Sequence, residues 1–198
     1  MADNYLERRM EELHTPRARV VSSSVQKRAV PWVLPPLKVV VINGCCADGI
    51  AVVKHFAGAG VRVAVIDVDK NKGKELASAF GIRYEEAASR NGASISAGLV
   101  ATLKAWRDAD LFICFDCDEY IADIVAAVSD YRKVYPRVSS YASRVQLVVR
   151  GGGKSAFGSD AMQVQRVEAG DDTSADALAR MLLFLALPEN GELRSVRV

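Results

Sequence analysis

The chain has 198 residues, half of them hydrophobic and a quarter charged, which suits one domain with a sizeable core. A formal net charge of +2 excludes an electrostatic case for nucleic acid or an acidic membrane surface. No run of about 18 apolar residues exists, so no membrane span is expected.

The opening Met1–Arg9 is charged from the start and has no apolar signal-peptide centre. We therefore expect a cytoplasmic protein. There its four cysteines would be free thiols, metal ligands or redox groups. Asp3 or Asn4 caps a short predicted helix to about Leu13, with Leu6, Met10 and Leu13 on one face. A mixed polar and basic stretch from Pro16 to Arg28 follows, then Pro31, Pro35 and Pro36. Residues 1–36 read as an arm and extended linker, either unstructured or a clasp onto a partner subunit.

From Leu37 strands and helices alternate. Lys38–Asn43 is a β-branched run, as expected of a strand buried on both faces. Gly49–Ala59 is a predicted helix with Val52, Val53 and Phe56 inward, stopped by Gly60. A second strand (Val61–Asp67), a second helix (Asn71–Phe80) and a weak third strand (Ile82–Glu85) follow. Next come a helix at Ser94–Arg107, a strand at Asp110–Phe115 and a helix at Tyr120–Tyr135. Two strands (Ser143–Arg150 and Met162–Val167), a helix (Thr173–Leu187) and a last strand (Leu193–Val198) complete the series. This alternation predicts an α/β fold, a Rossmann-like doubly wound parallel sheet in three layers over residues 37–198. Ligands bind such sheets at the carboxyl ends of the strands, where strand order reverses.

The strongest local signal is Val41–Ile50, a buried strand running through Gly44 and Gly49 into a helix. The first glycine permits a tight turn. The second lets helix and strand pack closely and a pyrophosphate approach the helix N-terminus. Asp67 ends the next strand, 18 residues after Gly49. A carboxylate there accepts hydrogen bonds from adenosine ribose hydroxyls and repels a 2′-phosphate, favouring NAD over NADP. The candidate cofactor contacts are Gly44, Asp48, Gly49, Ile50 and Asp67. The alternative is that the two glycines merely make a sharp turn in an α/β protein that binds nothing.

Leu37–Gly81 resembles the first βαβ unit of the short-chain dehydrogenases/reductases. The likeness rests on Val53-Lys54, Phe56-Ala57, Ala59-Gly60 and the strand Val61–Asp67. Asp110–Ile113 resembles the family's fourth strand, Val164–Gly170 its sixth, and Ala177–Gly191 its last helix and following turn. The opening Asn4–Glu12 is similar to arms of some bacterial members. The resemblance implies a dinucleotide partner, with Gly44, Gly49 and Asp67 as cofactor contacts. The chain departs from the pattern in four places. The family's turn is typically Thr-Gly-x-x-x-Gly-x-Gly; here the middle glycine is absent and the spacing is one residue shorter. The Asn-Asn-Ala-Gly after the fourth strand is replaced by Cys114-Phe115-Asp116-Cys117. No tyrosine has lysine four residues later, so the family's Tyr–Lys acid/base pair is missing; Tyr141 has only Arg144 nearby. The stretch between the fifth and sixth strands is too short for the helix that carries that pair, which also commonly forms the family's oligomer interface.

The cysteines fall in two places, Cys45-Cys46 after the first strand and Cys114/Cys117 after the fourth. These strands are neighbours in a doubly wound sheet, so four sulfurs at one site are expected to hold zinc, to act as a redox pair, or to be buried hydrophobes. His14 and His55 are the only histidines and sit far apart. Gly151–Ser155 reads as a flexible loop rather than a phosphate loop. Asp116, Asp118, Glu119 and Asp123 suit the start of a helix.

Three functions stay open. The first is a reductase-like dinucleotide-binding protein without standard catalysis, as a sensor or paired with an active relative. The second is an oxidoreductase with an unconventional acid, Tyr141 or a cysteine. The third is an assembly protein that has lost the ligand and joins a homo-oligomer or a related reductase.

Overall fold

A computed structural model describes residues 37–137, 143–150, 162–187 and 195–197. The predicted arm and linker, Tyr141 and the Gly151–Ser155 loop lie outside the described residues. The β-branched run after Leu37 forms β1 (Lys38–Ile42), followed by α1 (Ala47–Gly58), β2 (Arg62–Asp67), α2 (Lys70–Phe80) and β3 (Arg83–Glu86). Then come α3 (Gly92–Trp106), β4 (Leu111–Phe115), α4 (Ile121–Val134), β5 (Arg144–Arg150), β6 (Gln163–Ala169), α5 (Ala175–Leu185) and β7 (Ser195–Arg197).

The seven strands form one sheet in the order β3-β2-β1-β4-β5-β6-β7. Every pairing is parallel. The chain winds outward from β1 through β2 to β3, then crosses back to lay β4 on β1's other side. The order therefore reverses between β1 and β4, in register Val39↔Leu111 through Ile42↔Cys114.

Side chains alternate faces along a strand, so β1 feeds two cores. Val39 and Val41 join Val52, Val53 and Phe56 of α1, Leu76 of α2 and Leu178 and Leu182 of α5. Val40 and Ile42 join Ile95, Leu99 and Leu103 of α3 and Ile124 and Val128 of α4. Helices cover both faces, giving the three predicted layers. Burying each such apolar side chain contributes about 1.5–3 kcal/mol before the entropy of ordering is subtracted.

Helix starts follow their caps. Side chains of Cys46, Asp69, Asn91 and Ser174 accept from the backbone N–H three residues on. The first helix therefore begins at Ala47, before the predicted Gly49. Gly81 ends α2 in the left-handed region at φ 64.

The β5–β6 pair carries a buried polar contact. Gln146 and Gln165 are opposite in register and fully buried, and Gln146 Nε2 donates to Gln165 Oε1 at 3.0 Å. The amino edge of the sheet is charged. Arg132 Nη2 donates to Asp108 Oδ1 at 2.8 Å, to Ala109 O and to Ser143 Oγ. Arg137 pairs with both Asp108 and Asp110, and Asp110 Oδ2 accepts from Lys38 N at 2.9 Å.

Candidate functional site

The site lies at the carboxyl ends of β1 and β4, where strand order reverses. Asn43 leaves β1 at φ 54, a left-handed conformation that asparagine adopts more readily than most residues. Its amide Nδ2 donates to Phe115 O at 2.8 Å and to Tyr120 Oη at 2.6 Å. One side chain thus ties the end of β1 to the end of β4 and to the start of α4.

Gly44 and Gly49 then meet. A Cβ on Gly49 would lie 2.5 Å from Gly44 O and 2.6 Å from Gly44 Cα. Only glycine lets α1 start this close to the turn. The helix N-terminus faces a cleft of about 300 Å³ lined by Cys46, Ala47, Asp48, Phe115, Asp116 and Val148. Gly49 N already donates to Cys46 Sγ at 3.3 Å. Ile50 is half-buried against the α1/α5 core, and its N–H donates to Cys46 O at 2.9 Å.

Asp67 sits at the carboxyl end of β2, where the sequence puts it. Its side chain is fully buried. Oδ2 accepts from Cys45 N at 2.8 Å and Oδ1 from Asp69 N at 3.0 Å. Arg90 Nη2 approaches Oδ1 at 3.8 Å from an exposed position. The carboxylate therefore anchors the glycine turn to β2, a role that the spacing alone does not reveal. Tyr84 Oη donates to Asp67 O at 3.0 Å, and its ring lies where a Cβ on Gly73 would be.

The local charge is negative. Asp48 and Asp116 both line the cleft, and Asp116 has φ 49. Burial pushes the Cys46 thiol up; Asp48 and Asp116 add to the rise, and the hydrogen bond from Gly49 opposes it. Burial and the neighbouring Asp67 push Cys45 up to about 12. Burial likewise pushes Tyr120 up.

The four sulfurs do not converge, which corrects the expected four-sulfur site. Cys45 belongs to the α1/α5 core, whereas Cys114 and Cys117 belong to the α3/α4 core on the other face. The reason is parity: Cys114 pairs with Ile42 and so shares its face. Among the described residues no group of three or more His, Cys, Asp or Glu is placed to hold a metal ion. His55 is spent on α5, with Nε2 at 2.5 Å from Asp176 Oδ1.

Sequence reasoning missed Asn43 and Tyr120. An asparagine directly before a turn glycine was the available signal for the first. Nothing local marks Tyr120, whose partner lies 77 positions away.

No family model matches the sequence, and no curated protein matches it. Solved structures do. The chain is similar to serine dehydrogenase from Escherichia coli, with TM-score 0.63 and 11% identity over 82% of this chain and 97% of that one. It is similar to a metagenomic short-chain oxidoreductase in complex with NADP, with TM-score 0.59 and 14% identity over 83% and 98%. A short chain dehydrogenase from Bacillus anthracis gives TM-score 0.62 and 13% identity over 82% and 95%. The protein has the fold of the short-chain dehydrogenases/reductases, and the resemblance read from the sequence holds at that level. No helix among the described residues is long and apolar enough to cross a membrane.

Proposed function

We propose that the protein is a reductase-like dinucleotide-binding protein without the standard reductase chemistry. The observation that carries this reading is the close seat of Gly49 on Gly44, which opens the N-terminus of α1 onto the cleft at the strand-order reversal. Asp67 supports NAD over NADP, because a buried carboxylate at the end of β2 disfavours a 2′-phosphate nearby. Arg90 offsets part of that charge. The missing Tyr–Lys pair supports silence in carbonyl reduction, since no lysine stands four residues after any tyrosine to lower its pKa.

A second reading, a fold that has lost its ligand and serves assembly with itself or a related reductase, is favoured by three specific observations. Asp48 and Asp116 put negative charge beside the helix N-terminus. Cys46 occupies the Gly49 N–H. Asp67 is committed to two backbone amides.

Calorimetric titration with NAD⁺, NADH, NADP⁺ and NADPH separates the readings. The nucleotide reading expects micromolar binding of NAD(H), tightened in an Asp48→Asn/Asp116→Asn variant that removes both cleft carboxylates. Absence of binding by both proteins overturns it and favours the assembly reading. Turnover of a carbonyl panel with NADH would overturn the catalytic silence alone.

A further inference from the structure

The buried thiols beside the cleft are unused by the reading above. The geometry points to a reversible dithiol–disulfide couple between Cys114 and Cys117, formed with a peroxide as oxidant and spanning the cleft-lining residues Phe115 and Asp116. Cys114 is in β4 and Cys117 follows a bend at Asp116, whose φ of 49 turns the chain back. Cys117 Sγ donates to Phe115 O at 3.0 Å, so its side chain folds onto the strand that carries Cys114. Both residues are completely buried in the same core. The Cys114 thiol is pushed well above the ordinary thiol range, first by its hydrogen bond to Cys117 and then by burial. With two residues between the cysteines, and both side chains turned into one core, the two sulfurs lie on the same side of the chain.

The chemistry balances with one peroxide. One thiol loses its proton, and its sulfur attacks the O–O bond. It becomes a sulfenic acid, and the departing oxygen leaves as water with the proton. The second sulfur displaces the sulfenic oxygen as a second water, and the S–S bond forms. Two electrons pass from the two sulfurs to the peroxide. Both sulfurs are buried, so a small oxidant arriving during local opening is the suited reagent.

The couple acts on the glycine turn through Asn43. Its Nδ2 lies 3.5 Å from Cys117 Sγ while donating to Phe115 O and Tyr120 Oη. A disulfide removes the Cys117 S–H that Phe115 O accepts and draws that sulfur toward Cys114. Both changes alter how β4 ends under the cleft. This consequence for ligand binding rests on the nucleotide reading of the cleft; disulfide formation does not.

The test uses the full chain. The native protein is treated with hydrogen peroxide, quenched, denatured, blocked with iodoacetamide and digested with trypsin. Cleavage after Arg107 and Arg132 isolates Cys114 and Cys117 on one peptide; cleavage after Lys38 and Lys54 isolates Cys45 and Cys46 on another. The expected result is that peptide 108–132 is lighter by two hydrogens, carries no alkyl group and regains both reactive thiols with dithiothreitol. A Cys117→Ser variant loses the lighter species, and a Cys45→Ser/Cys46→Ser variant keeps it. Two alkylated cysteines on that peptide, at a peroxide dose that oxidises a small-thiol standard, overturn the couple. So does irreversible oxygen addition in place of the reversible bond. Titration of reduced and oxidised protein with NADH then reads the coupling. A disulfide with unchanged affinity overturns the coupling. A disulfide with no binding in either state instead counts against the nucleotide reading.

Discussion

The two edges of the sheet hold themselves together differently. At the amino edge, Asp108 and Asp110 face Arg132 and Arg137, all four side chains less than a fifth exposed. At the carboxyl edge, the junction between β1 and β4 rests on Asn43, the Cys117 thiol and Tyr120, and Asp67 is matched mainly by backbone amides. Opposed charges close one edge. The other is held by neutral donors and leaves a cleft with two acids on its rim. Sheets of this kind carry ligands at the carboxyl edge, and the difference explains how that edge stays open. A network of opposite charges would fill the space that a ligand needs.

The largest effect is expected at the closed edge. Asp108→Ala takes the only carboxylate paired with Arg132 among the described residues, leaves Arg137 with Asp110 alone, and removes the acceptor for Ala109 N. Breaking a buried pair from one side costs about 3–5 kcal/mol. A urea melt that moves by less than a quarter of that would mean water already satisfies these groups, and the contrast between the edges would fail. Gly49→Ala is the matching break at the open edge. The new Cβ meets backbone at 2.5 Å, where nothing flexible can yield. Forcing α1 away from the turn is expected to cost about 2–3 kcal/mol and to widen the contact between Gly44 and the helix. Gly60→Ala, where a Cβ meets nothing within 4 Å but φ is 78, gives the cost of backbone strain without a clash.

Much of the fold was legible because it rests on local and periodic signals. The runs at Val39–Ile42 and Leu111–Phe115 are apolar on both parities, which only a doubly covered strand tolerates. Gly44 and Gly49 marked the turn by chemistry that does not depend on the rest of the chain. What stayed hidden depends on register. The convergence of four sulfurs failed because adjacency of strands says nothing about which face a side chain takes. Gln146 and Gln165 lie 19 positions apart, and only strand pairing puts them opposite each other. Asp67 was correctly placed at a strand end, but its bond to Cys45 N exists only once the turn has folded over β2.

Asn43 offers a sharper test of the open edge, because its backbone and side chain contribute separately. Asn43→Gly keeps the left-handed φ and loses the amide that holds Phe115 O and Tyr120 Oη. Asn43→Ala loses the amide and adds backbone strain. The lost hydrogen bonds are worth about 1–2 kcal/mol, and alanine in that conformation costs about 1 kcal/mol more. Thermal melts should therefore rank wild type, glycine and alanine in descending order. Equal stability of wild type and Asn43→Gly would mean that the amide does not tie β1 to β4. Tyr120→Phe removes the bond from Asn43 and the hydroxyl's own long bond to Asp116 O, and its loss should be about 1 kcal/mol.

The smallest effect calibrates the comparison, since it comes from an ion pair on neither edge. Asp176 at the start of α5 meets His55 of α1 and Arg180 of its own helix, and it is half exposed. The hydrogen bond to His55 is the main cause that holds its carboxyl below the ordinary 3.8, and Arg180 adds to it. A depressed carboxyl stabilises the fold above its unfolded value and loses that contribution as pH falls through its folded value. The stability gap between wild type and Asp176→Asn should therefore be present above the ordinary 3.8 and close as pH falls below it. A gap that persisted at the acid end would mean that the aspartate acts as an uncharged cap on α5. A small gap here, beside a large loss in Asp108→Ala, would show that burial rather than the count of charges sets what an ion pair contributes.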